Sequence, residues 1–274
     1  MKNVATLILN RNLPEPTDAL VEHLKRYDGD VTDVFVIESG SDPTNLSRNV
    51  TWYADWPEAL EQGLRYSRGM NYGLSQLWKQ GYFQNYDAFF LLTNDTEFSR
   101  QPTIPQLLEV FNSHQRVGIL SPCSKLWGEK TLLQEEHTKY FWFIHNTAYF
   151  LRRKFIESIC NYSETSHVNF LFDGENFRGY GNESELIAKA YANDWAAAIT
   201  SKVWAEENES YLLTKSDIIK TEAYKENIRL YIAEGRAWMK KKYGFNSRWT
   251  MQQYVKSMYD NFFEFYPEYN NFKI

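Results

Sequence analysis

The stretch Tyr86–Phe98, YDAFFLLTNDTEF, decides how this chain folds. Its centre, Ala88 to Leu92, is apolar without alternation, the pattern of a strand buried on both faces. Such strands belong to parallel sheets covered by helices on each side. The run then stops on Thr93, Asn94, Asp95, Thr96 and Glu97. Ligands of open α/β sheets collect beyond the carboxyl ends of the strands, so a buried strand ending on an acidic, hydrogen-bonding cluster is a rigid mount for chemistry.

Working outward, further strand-like runs alternate with helical patterns, as a helix-covered parallel sheet requires. Val4–Asn10, Val31–Ser39, Val50–Ala54, Val117–Cys123 and Trp195–Ala205 read as strands, and Phe141–Arg153 as a long strand crossing an edge. Helical spacing predicts helices over Thr17–Tyr27, Tyr66–Gln80, Thr103–Ser113, Lys154–Cys160 and Glu183–Asn193, with Gly81 as a stop. Residues 124–140 have no sustained period. The expected fold is α/β, a mixed and mostly parallel Rossmann-like sheet flanked by helices over residues 1–210. Residues 211–274 form a C-terminal helical extension with a net charge of +4, against −9 for the rest. There, Thr214–Tyr243 predicts a helix with an apolar stripe of Ile218, Ile219, Tyr224, Ile228, Tyr231 and Trp238. Packing back on the first 210 residues is the expected use of the stripe. Peripheral contact with an anionic membrane and a homodimer are the other uses.

Composition narrows the function classes. A chain of 274 residues, 43% hydrophobic and 17% aromatic, can bury a large core. A net charge of −5 gives no basic footprint for nucleic acid, so no such partner is expected. The cysteines, Cys123 and Cys160, are distant and without a CxxC or Cys/His cluster, which suggests neither a disulfide framework nor structural zinc, and a reducing cytoplasm fits. The apolar run in MKNVATLILNRN is too short for a signal peptide core or a membrane span.

The polar strand ends are Asn10, Arg11 and Asn12, then Glu38, Ser39, Gly40, Ser41 and Asp42, then Thr93 to Glu97. Any one of these loops is equally an ordinary turn or helix cap. In series, however, VATLILNRN, VFVIESGSD, SRGMNYGL, YDAFFLLTNDTEF and FRGYGNESELIAKAYANDW resemble the successive motifs of the GT-A fold, family 2 inverting nucleotide-sugar glycosyltransferases, over about residues 3–205. The extension has no counterpart in that resemblance.

The resemblance implies a nucleotide-sugar donor, a glycan or glycolipid acceptor and a divalent cation, Mg²⁺ or Mn²⁺, at the inner face of a membrane or in the cytoplasm, in polysaccharide biosynthesis. The donor residues it implies are Asn10, Arg11, Glu38, Ser39, Asp42, Arg68, Asn71, Thr93, Asn94 and Asp95. The family's metal-binding DxD triplet falls on Thr93, Asn94 and Asp95, keeping only the last carboxylate. The cation matters because negative charge builds on the diphosphate as the anomeric bond breaks, and Mg²⁺ is typically held by one or two carboxylates plus substrate phosphates. A late His of the family's metal shell is missing near Ala205. Either Glu206 stands in as an oxygen ligand or dependence on metal is reduced.

In GYGNESEL, Gly179–Leu186, the family's catalytic base maps onto Glu183, with Glu185 as the alternative and Lys189 on the family's basic helix position. A sugar hydroxyl is a poor nucleophile until a carboxylate takes its proton. Position at a helix start is expected to keep Glu183 ionised. Phe172, Asp173 and Tyr180 are the candidate acceptor contacts, and Trp127 and Trp142 serve equally as further contacts or as aromatic core. A nucleotidyltransferase is disfavoured because LILNRNLPEP lacks a Gly-rich loop. A noncatalytic nucleotide-sugar or carbohydrate binder is the remaining rival.

Overall fold

In the computed structural model the described residues are 2–98, 102–124, 137–145, 147–160 and 162–274. Strand β1 (Val4–Asn10) lies between β2 (Thr32–Glu38) and β4 (Ala88–Thr93), parallel to both, and β3 (Val50–Tyr53) extends the edge in the same sense. The quoted apolar run is therefore central, and Phe89 to Leu92 are fully buried. Beyond β4 the sheet turns mixed: β8 (Ala148–Arg152) is antiparallel to β4 and to β6 (Val117–Cys123), which runs parallel to β9 (Ala196–Glu207). The short β5 (Thr96–Phe98) and β7 (Thr138–Tyr140) both pair antiparallel with β9. The order is β3-β2-β1-β4-β8-β6-β9-β5.

Helices α1 (Pro14–Tyr27), α2 (Pro57–Gln62), α3 (Arg65–Lys79), α4 (Ile104–Ser113), α5 (Arg153–Ile159) and α6 (Asn182–Ala192) cover the sheet. Met70, Leu74 and Leu77 recur on one face of α3 and are all buried, as their spacing requires. The expected long strand from Phe141 is only Ala148–Arg152. Ahead of it, Phe141 and Ile144 are buried without strand pairing, so their apolarity reports core packing rather than a ladder.

The extension starts with two short helices, α7 (Ser210–Thr214) and α8 (Ser216–Ile219), where one continuous helix was expected. Lys220 breaks the run with a left-handed backbone, φ 52°. Helix α9 (Tyr224–Tyr243) follows, then α10 (Arg248–Phe265). Val255, Tyr259, Phe262 and Phe263 of α10 belong to the same core as the sheet and pack against α6. The stripe divides: Trp238 is buried and Tyr231 packs beside it, while Ile218, Tyr224 and Ile228 stay exposed. Among the described residues no helix is long and apolar enough to cross a membrane.

Candidate active site

The carboxyl ends of β1, β2 and β4 open onto a cavity of about 240 Å³, lined by Asn10, Arg11, Ser39, Thr93, Asn94 and Asp95. Arg65 and Tyr66 of α3, Glu207 of β9, and Tyr211, Leu212, Ile219, Lys220 and Thr221 of the extension complete its walls. The extension thus supplies part of the pocket that sequence reading placed wholly on the sheet. A second cavity of about 300 Å³, against α1, shares Asn94, Asp95 and Tyr211 with the first, so Asp95 stands where the two meet.

Several expected donor residues turn out to hold this frame together. Glu38 is fully buried, and its oxygens accept from Asn10 Nδ2 at 2.9 and 3.0 Å, Ser41 Oγ at 2.6 Å and the Ser47 amide at 2.8 Å. Arg11 donates to the carbonyls of Ser39 (2.6 Å), Ala59 (2.9 Å) and Ile219 (2.7 Å), tying the end of β2, α2 and the extension to one guanidinium. Burial, and then the nearby Arg65, bring the Arg11 guanidinium down to about 10. Ser39 Oγ caps the approach to α3 by accepting from the Leu64 amide at 2.7 Å. Asp42 pairs with Lys220, while Asn94 donates to Asn10 Oδ1 and Thr17 Oγ1, both at 3.0 Å. Arg68 and Asn71 are not among the residues that line the cavity. Arg68 donates to the Gly174 carbonyl at 2.8 Å, and Asn71 binds the backbone of Leu171 and Phe172, so both pin the 167–174 loop.

Asp95 is different. One of its carboxylate oxygens is buried without a hydrogen-bond partner. Burial pushes its carboxyl above the usual range against a hydrogen bond from Thr93, and Glu209 and Glu97 add to the rise. Beside it, burial and then the Asp95 charge push Glu207 up to about 7. Glu206, the expected second ligand, accepts instead from Ser124 Oγ at 2.7 Å. Successive residues of a strand point to opposite faces, so only one of Glu206 and Glu207 can meet Asp95. β9 has register irregularities, one of them opposite Pro122/Cys123, and parity along such a strand is invisible in sequence. Glu207 is therefore the acidic neighbour of Asp95.

Glu183 and Glu185 begin α6 as expected. Glu185, 2% exposed, is paired with Lys242 at 2.7 Å, lies 3.6 Å from Lys189, and accepts from the Tyr243 hydroxyl. These contacts commit it to docking α9. Burial pushes the Glu183 carboxyl up, with backbone amides and Arg248 opposing, so desolvation outweighs the helix start that was expected to keep it ionised. Glu183 does not line the cavity beside Asp95. Tyr231 of α9 lies within electrostatic reach of both Glu183 and Glu207.

Two of the expected acceptor residues, Asp173 and Tyr180, lie against α9. Phe172 is buried in the main core, and Tyr180 is buried against Trp238 and Met239. Asp173 accepts from Trp238 Nε1 at 3.0 Å and from Lys242 Nζ at 2.5 Å. Trp142 packs on Tyr259 at 5.0 Å between ring centres, as core. Trp127 lies outside the described residues. Sequence reading missed Arg65, Tyr66, Glu207, Tyr211 and Lys220. Only the acidic run Glu206–Glu207 carried any signal for them.

No protein-family model and no curated protein sequence matches the chain. Solved structures do match. The mannosyltransferase PcManGT from Pyrobaculum calidifontis, in complex with GDP-Man and Mn²⁺, is 10% identical over 93% of this chain and 85% of its own, with a TM-score of 0.52. Residues 1–349 of S. aureus TarS are 13% identical over 97% of this chain and 72% of their own, also at 0.52. TarS in complex with UDP aligns at 12% identity over 87% of this chain and 72% of its own, with the same TM-score. Identity that low speaks to architecture. With its β3-β2-β1-β4 parallel half, its mixed second half and these neighbours, the chain has the GT-A fold.

Proposed function

We propose that the protein is an inverting glycosyltransferase that moves a sugar from a nucleoside-diphosphate donor to a hydroxyl of a glycan or glycolipid. The observation that carries this reading is the orphaned, buried Asp95 oxygen beside Glu207 at the mouth of a cavity formed by the strand ends. A buried polar atom without a partner marks a place for a ligand or ion. Two adjacent carboxyls, each pushed up by burial, are relieved by a divalent cation. Asp95 and Glu207 fit such an ion as a sparse site whose remaining positions fall to phosphates and water, although no group of three or more His, Cys, Asp or Glu is found among the described residues. When bound, the ion neutralises charge on the departing diphosphate.

The protein's own groups do the rest. The Asn10–Glu38 network fixes the loops around the nucleoside end of the cavity. Glu183 takes the acceptor proton as the new glycosidic bond forms. Its raised pKa makes it a stronger base when ionised and brings it nearer neutral pH, where general bases work best. Closure by the extension excludes water, which would otherwise hydrolyse the donor. A second reading, a binding protein without transfer activity, is favoured by the absence of Glu183 from the cavity lining. The two separate in an assay of donor turnover. UDP-, GDP-, dTDP- and CMP-sugars are incubated with Mn²⁺ or EDTA and with Asp95→Ala and Glu183→Gln variants. Donor cleavage that both substitutions abolish is expected of the transferase, and donor binding without cleavage would leave only the binder.

A further inference from the structure

We propose that Arg65 and Tyr66, at the first turn of α3, form an anion subsite that grips the diphosphate of the donor, a role no motif of the sequence assigns to them. Both residues line the cavity that holds Asp95. The Tyr66 hydroxyl is buried and has no hydrogen-bond partner, and Arg65 Nε is likewise buried and unpartnered. A polar atom in that state forfeits its hydrogen bond to water, so it is retained where a ligand completes it.

Three further observations point to an anion rather than a neutral ligand. α3 is a 15-residue helix whose N-cap residue, Leu64, makes no side-chain cap, and a helix N-terminus carries partial positive charge. Arg65, which lines the cavity, holds a left-handed backbone, φ 55°, a conformation that a non-glycine residue adopts at a cost and that clusters at ligand sites. The carboxylate of Glu222, from the extension, already sits on Arg65 at 3.0 Å and on Arg178. Against the desolvation that would raise it, its backbone amide and these two arginines hold Glu222 down to about 2, so this is a place where negative charge is stable. Glu222 shows which ligand chemistry Arg65 accepts. Burial keeps the Tyr66 hydroxyl protonated far above neutral pH, so it can only donate, as a phosphate oxygen requires.

The subsite rests on the reading of the protein as a nucleotide-sugar enzyme, and its test is independent of sugar transfer. The melting temperature and calorimetric affinity are measured with inorganic pyrophosphate, UDP and GDP, for wild type, Arg65→Ala, Arg65→Lys and Tyr66→Phe. Wild type is expected to bind, Arg65→Ala to lose about tenfold or more, Arg65→Lys to recover part of the loss, and Tyr66→Phe to lose about fivefold. Arg65 also holds Glu222, so Arg65→Ala can weaken the fold. Tyr66→Phe removes a hydroxyl with no partner in the protein and decides the matter in that event. Undiminished affinity in Tyr66→Phe and Arg65→Lys, or no binding of any of the three anions by wild type, overturns the subsite. Anion binding through these residues without donor turnover would overturn the transferase and leave the subsite standing.

Discussion

At the scale of single residues, the proposed function rests on three carboxyls, Asp95, Glu183 and Glu207, that burial has moved away from their ordinary behaviour. Glu183→Gln keeps shape and hydrogen-bonding capacity but cannot take a proton. Its expected effect is a fall of about 10²-fold or more in turnover with donor affinity nearly unchanged, read from kcat and from donor binding separately. Glu207 makes a pH prediction with a definite sign. Its carboxyl titrates near 7 in the folded chain against 4.5 for the ordinary group. The folded state therefore holds a proton that the unfolded state has lost between these values, and stability falls as pH rises through the window. That contribution is complete below pH 4.5 and lost above 7, with a size of about 3 kcal/mol. Denaturant titrations from pH 4 to 8 should show the decline, and Glu207→Gln should flatten it. Mn²⁺ reverses the trend, because an ion favours the charged forms of Asp95 and Glu207; its affinity should rise across the same range.

At the scale of elements, the contact that matters most is α9 on the loop before α6. A Cβ added at Gly235 would stand 2.4 Å from Tyr180 Cβ and 2.5 Å from its carbonyl oxygen. Alanine normally gains about 1 kcal/mol over glycine inside a helix, whereas forcing atoms into a packed contact costs about 1–3 kcal/mol. The backbone oxygen cannot yield, so the clash wins. Gly235→Ala should lower the melting temperature and loosen α9, with faster hydrogen exchange at Tyr231 and Trp238 as the specific signature. A melting temperature equal to or above wild type would show that α9 is not seated against Tyr180.

At the scale of the whole molecule, the extension and the sheet share one hydrophobic core. Val255, Tyr259, Phe262 and Phe263 are all nearly inaccessible, and burying a side chain of that class contributes about 1.5–3 kcal/mol. Removing residues 244–274 therefore takes away stabilisation comparable with the whole margin of a typical domain. Such a truncation should not unfold cooperatively, as calorimetry would record. A sharp, wild-type-like transition would make the extension a dispensable attachment. Ile218, Tyr224 and Ile228 are exposed, and flotation of the intact protein with anionic liposomes tests whether they meet a lipid surface.

The sequence by itself determined the sheet and where to look on it. Buried strands such as Phe89–Leu92 are recognisable because continuous apolarity is local information, and the polar residues that end them follow by adjacency along the chain. Asp95 and Glu183 could be singled out for that reason. Only the tertiary structure decided which groups meet. The choice of Glu207 over Glu206 depends on parity through an irregular strand, the contacts of Asp173, Tyr180 and Glu185 depend on where α9 crosses, and Arg65 and Tyr66 line the cavity only because α3 begins beside the strand ends. Spacing along a chain fixes the direction of a side chain within its own element. The partner it finds is set by the packing of elements distant in sequence, which no local pattern encodes.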